Sequence, residues 1–169
     1  MELEHQMTHT VYIAIGSNLG DKLSNCRKGI ELLEKSGVSI LACSHFYKTD
    51  PVDYADQDRF INAAVKAETD LSPLLLLKAL KSIEKQAGRV ETVRFGPRVL
   101  DMDIIFYDDL TMDEAGLTIP HPRMHKRGFV LTPICDIAPE FIHPVLTQTM
   151  TELLKQFDND SPHEVSLYR

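Results

Sequence analysis

The chain has 169 residues, 43% hydrophobic and 25% charged, which is ordinary for one globular domain long enough to bury a core. A formal net charge of −7 argues against a general nucleic-acid binder, and no apolar stretch approaches the roughly 20 residues of a membrane helix. The polar start MELEHQMTHT lacks the pattern of a secretory signal, and three scattered cysteines without a CxxC pair support neither a disulfide framework nor a zinc site. A reducing, cytoplasmic setting is expected.

Residues 1–9 read as a disordered leader, 10–160 as a single domain and 161–169 as a mobile tail. VYIAIG (11–16) is a β-rich run ending in glycine, and SNLGD supplies turn chemistry with Asp21 as helix N-cap. Leu23, Cys26, Ile30 and Leu33 recur at helical spacing, and Gly37 closes that helix. VSILACSHFYKT (38–49) predicts one long strand, and DPVDYADQD (50–58) a loop. RFINAAVKAE (59–68) alternates, with Ile61, Ala63, Val65 and Ala67 on one face and Phe60, Asn62, Lys66 and Glu68 on the other. Ser72 and Pro73 start a second helix with a buried stripe of Leu76, Leu80, Ile83 and Ala87, ended by Gly88. An arginine-bearing loop leads to a strand ending near Tyr107. A short strand near 117–119 and helices near 129–137 and 149–158 complete the chain. The order β-α-β-β-α-β is the α+β, ferredoxin-like pattern, with both helices on one face of an antiparallel sheet and the other face free for a site.

The informative stretch is RFGPRVLDMDIIFY (94–107). Leu100, Met102, Ile104 and Phe106 would face the helices, and Asp101 and Asp103 the open face with Ile105 and Tyr107. Two carboxylates with Cα atoms roughly 6.6 Å apart repel unless a cation lies between them. Magnesium, which commonly takes one or two carboxylates plus phosphates, would serve, with Arg89, Arg98 and Arg127 holding phosphate oxygens. An arginine–aspartate network at a strand end would serve as well. On the same face Phe60 and Asn62 offer stacking and an amide edge, with Phe129 as a second aromatic wall, although both phenylalanines would also suit a core. His121 and His125 gain interest from Arg123, Lys126 and Arg127 beside them. GSNLG (16–20) could cradle an anion.

YIAIGSNLGD, FYKTDPV, FINAAV, GRVETVRFGPRVLDMDIIFY and IPHPRMHKRGFVLTPICDIAPEF together resemble the 6-hydroxymethyl-7,8-dihydropterin pyrophosphokinases of folate biosynthesis, from about Tyr12 to Phe141. The resemblance implies a ferredoxin-like fold and transfer of pyrophosphate from ATP to the pterin hydroxymethyl group with release of AMP. It implies two Mg²⁺ ions on Asp101 and Asp103, with Arg89 and Arg98 sharing the catalytic role. Phe60 and Phe129 would sandwich the pterin, and Asn62 with Gly16, Thr49, Asp50 and Val52 would surround it. Glu84, Arg89, Arg98, His121 and Arg127 would lie along ATP, with main-chain contacts to adenine from Ile104 and Thr118. The partners implied are these two substrates and the neighbouring folate enzymes, with no nucleic acid, membrane or obligate protein partner. Departures from the family pattern are Phe95 where Trp is frequent, Glu91 where Arg is frequent, and Asp50 where proline is common. Glu91 is expected to point to solvent. A palm-type nucleotidyl transferase, releasing pyrophosphate, and a non-catalytic ferredoxin-like module are the rival readings.

Overall fold

The computed structural model describes residues 7–51, 57–88, 97–160 and 165–169. Arg89, Glu91, Arg94, Phe95 and Val52 therefore lie outside the described residues. The order is β1 (His9–Ser17), α1 (Lys22–Lys35), β2 (Val38–Cys43), β3 (Tyr47–Thr49), β4 (Phe60–Thr69), α2 (Pro73–Gln86), β5 (Asp101–Tyr107), β6 (Met112–Glu114), β7 (Leu117–Ile119), a 3₁₀ turn (Met124–Lys126), α3 (Gly128–Ile137), α4 (Met150–Asp160) and β8 (Val165–Leu167). The main sheet runs β5-β1-β4-β3-β8, with β2 also on β4, and β1 pairs antiparallel with both β4 and β5. With β2 and β3 counted as one interrupted strand, this is the ferredoxin-like arrangement.

Local chemistry sets the helix ends. Asp21 accepts from Ser24 N at 3.1 Å to start α1, and Ser72 accepts from Leu75 N ahead of Pro73 to start α2. Both helices pack on one sheet face, where Ile13, Ile15, Leu33, Leu76, Leu80, Ile83, Leu100 and Met102 form the main core.

Three expectations are corrected. The strand expected over 38–49 is two strands. Ser44 Oγ accepts from Ala64 N at 2.9 Å, taking the place of a ladder carbonyl, and pairing resumes only at Tyr47 opposite Asn62. Tyr47 Oη and His45 N both donate to the Asp136 carboxylate, which ties the start of β3 to α3. The alternation of β5 breaks at Ile105. Tyr12 pairs with Phe106 and Ile13 with Ile104, so Ile105 is an inserted residue and every later side chain changes face. Phe106 therefore joins Ile105 on the face away from α1 and α2, and Tyr107 turns into the main core.

That second face is not free along its whole length. Val130, Leu131, Ile134, Met150 and Leu153 from α3 and α4 pack there with Tyr12, Ala64, Ile105 and Phe106 in a second core. α3 sits close on α4, because a Cβ at Gly128 would lie 2.5 Å from Phe157 Cε1. The described ends of the chain join the sheet. His9 belongs to β1, and Val165–Leu167 of the tail pair with β3 as an edge strand. No helix among the described residues is long and apolar enough to cross a membrane.

Candidate active site

The part of the second face that α3 and α4 leave uncovered holds a cleft of about 200 Å³. Its floor follows from strand register. Asn62 on β4, Gly16 on β1 and Asp101 on β5 occupy one row across the sheet, and Ala64, Ala14 and Asp103 the next. At about 4.8 Å per strand, Asn62 and Asp101 stand roughly 10 Å apart with glycine between them. Large side chains at 14 and 16 would fill this space. A Cβ on Gly16 would already meet Asn62 Oδ1 at 2.5 Å.

One end of the row is amide and aromatic. Asn62 is buried, and its Nδ2 donates to Thr49 Oγ1 at 2.6 Å, which fixes the carboxamide with Oδ1 toward Gly16. Phe60, at the start of β4, and Phe129, in the first turn of α3, are half-buried and both line the cleft. Neither is spent as a fully buried core residue. The Arg127 guanidinium lies 5.5 Å from the centre of the Phe129 ring, a cation–π contact that orients both. Asp50, also on the lining, pairs with Arg59 at 2.9 Å.

The other end is ionic. Arg98 Nη1 is 2.9 Å from Asp101 Oδ1. Burial, and then the neighbouring Asp101 charge, push the Asp103 carboxyl up to about 7, against partial relief from Lys81 and Arg127. A carboxylate pair held in this state favours a cation. His121 is pushed down to about 4 by burial and by Arg127 and Arg123, with Asp101 opposing. It is neutral at physiological pH. Its Nδ1 accepts from Arg123 N at 3.3 Å, which leaves Nε2–H as a donor.

The cleft thus brings together Gly16, Thr49, Asp50, Phe60, Asn62, Arg98, Asp101, Asp103, His121, Arg127 and Phe129. Glu84, Ile104 and Thr118 stand apart from its lining. Glu84 is buried under β5, where Oε1 accepts from Met102 N at 2.9 Å and so holds the strand that carries the carboxylates. Ile104 is in the main core, and Thr118 Oγ1 donates to Asp113 within the β6–β7 hairpin. Gln57 and Arg123 line the cleft without having been singled out as ligands by sequence. Arg123 had a signal in the cation run PRMHKR. Gln57 had none beyond its place in a polar loop.

The family model for 7,8-dihydro-6-hydroxymethylpterin-pyrophosphokinase matches residues 12–139. The chain belongs to this family. The folic acid synthesis protein FOL1 of Dictyostelium discoideum is 49% identical over 149 residues, which are 88% of this chain and 22% of that protein. The chain thus spans about a fifth of that relative's length. The 2-amino-4-hydroxy-6-hydroxymethyldihydropteridine pyrophosphokinase of Haemophilus influenzae is 42% identical over 88% of this chain and 92% of its own. A crystal structure of wild-type Plasmodium falciparum HPPK-DHPS with pterin and p-hydroxybenzoate superposes with a TM-score of 0.74. It covers 91% of this chain and 44% of that one at 18% identity, a likeness of fold.

Proposed function

We propose that the protein transfers pyrophosphate from ATP to the hydroxymethyl group of 6-hydroxymethyl-7,8-dihydropterin and releases AMP, a step of folate synthesis. The observation that carries this reading is the row Asn62–Gly16–Asp101, which sets a flat amide-and-aromatic slot about one bicyclic ring away from a carboxylate pair ringed by cations.

Each residue then has a task. Phe60 and Phe129 stack on the two faces of the pterin, and Asn62 and the main chain near Thr49 read its edge. Asp101 and Asp103 would hold Mg²⁺, two ions in this reading, which would supply charge neutralisation at the phosphates. The residues fit that role. Burial and the adjoining Asp101 charge both push the Asp103 carboxyl up, and a cation between the two carboxylates would relieve their repulsion. Arg98, Arg127 and the neutral His121 Nε2–H donate to phosphate oxygens, with Arg89 in the same role. The hydroxymethyl oxygen bonds to the β-phosphorus as the bond from that phosphorus to the AMP oxygen breaks. The hydroxyl proton leaves for solvent. The enzyme's contribution is alignment and charge stabilisation.

Three scattered cysteines, with Cys26 fully buried and reduced, support a reducing, cytoplasmic compartment in this reading. Functional neighbours are the other enzymes of folate synthesis, with no obligate protein partner. The test is incubation with Mg-ATP and 6-hydroxymethyl-7,8-dihydropterin. AMP should appear in equal amount with pterin pyrophosphate. Release of pyrophosphate instead would favour a nucleotidyl transferase, and absence of turnover would overturn the reading.

A further inference from the structure

Asn18 touches neither proposed ligand pocket, yet it is 1% exposed and spends its whole side chain on two segments that border the cleft. Its Oδ1 accepts from Arg98 N at 2.7 Å, and its own backbone N donates to Arg98 O at 3.0 Å, a reciprocal pair that grips the Arg98 main chain. Its Nδ2 donates to Gln57 Oε1 at 2.8 Å and to Asp58 O at 3.2 Å. The amide orientation is unambiguous, because a main-chain N–H faces one atom and a main-chain carbonyl the other. Asparagine suits the position for a chemical reason. Aspartate lacks the donors, serine lacks the reach for both sides, and a hydrophobic residue would leave buried main-chain groups unpaired.

The two segments that Asn18 joins serve opposite ends of the cleft. Arg98 presents its guanidinium to Asp101 at the ionic end, and Gln57 lines the same cleft just ahead of Arg59 and Phe60, which pair with Asp50 and Thr49. We propose that Asn18 is a positioning residue for pyrophosphoryl transfer. Through one buried carboxamide it holds Arg98, on the phosphate side, in register with residues 57–58, on the pterin side, so that each ligand is bound at a fixed place relative to the other. This rests on the pyrophosphokinase reading. It gives the asparagine of GSNLG a role different from an anion cradle, because its polar atoms are committed to protein partners.

A residue that only supports the fold lowers the melting temperature and leaves the communication between ligands intact. A positioning residue changes that communication. The experiment compares the wild type, Asn18→Ala and Asn18→Asp. It measures AMP formation, melting temperature, and calorimetric affinity for the pterin with and without a non-hydrolysable ATP analogue and Mg²⁺. Asn18→Ala should lower kcat about tenfold or more while each KM moves about threefold or less, and should bring the ratio of the two pterin affinities toward one. Asn18→Asp keeps the acceptor for Arg98 N and loses the donors toward 57–58. It should hold nucleotide affinity within about twofold and still lose the coupling. A folded Asn18→Ala with kcat and coupling ratio both within about twofold of wild type overturns the proposal. If Asn18→Ala does not fold, Asn18→Asp decides, and wild-type coupling in that variant overturns it. A wild type that forms no AMP overturns the functional reading and this proposal with it. A wild type that turns over while Asn18→Ala matches it overturns this proposal alone.

Discussion

Gly16→Ala tests the geometry of the cleft floor with one methyl group. Gly16 lies in β1 with extended neighbours on both sides, so the backbone accepts alanine. The side-chain space does not. The new Cβ would sit 2.5 Å from Asn62 Oδ1, 3.5 Å from its Cγ and 3.6 Å from Phe60 Cδ1, the first well inside ordinary contact. Asn62 cannot yield freely, because its Nδ2 is bound to Thr49 Oγ1 at 2.6 Å and the residue is 6% exposed. Overpacking of this kind costs about 1–3 kcal/mol, and loosening a buried hydrogen bond adds about 1 kcal/mol. Restriction of the unfolded chain by alanine returns about 0.4–1 kcal/mol. The net loss is about 1–4 kcal/mol, which lowers the melting temperature by roughly 2–15 °C in a chain of this size. The displaced carboxamide is the group proposed to read the pterin edge, so pterin affinity should fall about 5–30-fold. ATP affinity, measured in the same calorimeter, should stay within about twofold. Adding Asn62→Ala to Gly16→Ala removes the clash and should recover part of the melting temperature without recovering pterin affinity. A Gly16→Ala protein with wild-type pterin affinity and an unchanged melting temperature would show that Asn62 is not held as described.

Asp101→Ala and Asp103→Ala should each abolish most AMP formation while circular dichroism stays native, because removing one of two repelling carboxylates costs the fold little. Phe129→Ala should weaken pterin binding more than ATP binding, by about 0.5–1.5 kcal/mol beyond the lost buried area, as read by calorimetry. Equal losses for both ligands would make Phe129 a packing residue. Burial and the Asp101 charge push the Asp103 carboxyl from the usual carboxylate range up to about 7, so between the two the folded state holds the extra proton. Stability from this group is therefore present at low pH and is lost as pH rises toward 7. With chelator present, urea denaturation should find Asp103→Asn more stable than wild type at pH 8 and no different at pH 3. The opposite order at pH 8 would mean that Asp103 is already fully compensated by protein cations.

Much of the frame was legible because each element carries local punctuation. Asp21 and the Ser72–Pro73 pair start their helices, and the periodicity of Leu76, Leu80 and Ile83 places the buried stripe. The carboxylate pair stood out because aspartate is disfavoured in strands. What could not be read depends on contacts distant in sequence. The break at Ser44 exists because a hydroxyl substitutes for a carbonyl opposite Ala64. Glu84 is placed along the nucleotide by resemblance, and its described contacts with Met102 N and Lys81 were not legible, because the first requires α2 and β5 to be already packed. Asn18 drew notice in a glycine-rich turn, but its bonds reach 39 and 80 residues along the chain.

The insertion at Ile105 connects most of these pieces. Without it Phe106 would point into the main core and Tyr107 to the other face. With it, Ile105 and Phe106 both face α3 and α4, and Phe106 packs against Tyr12, Phe141 and the edge of His143. This aromatic group seats the C-terminal helices over the far half of the sheet, which leaves the near half, with Gly16, Asn62, Asp101 and Asp103, as the floor of a cleft. The inserted residue also offers its carbonyl outside the regular ladder, and His121 N donates to it at 3.1 Å. That bond pins the start of the 121–127 segment beside the carboxylates, so His121, Arg123 and Arg127 all reach the same cleft. One extra residue in an edge strand thus places the aromatic wall carried by α3 and the cations that answer the aspartates. The unbroken apolar run of residues 104–107, four in a row after strict alternation, is its trace in the sequence.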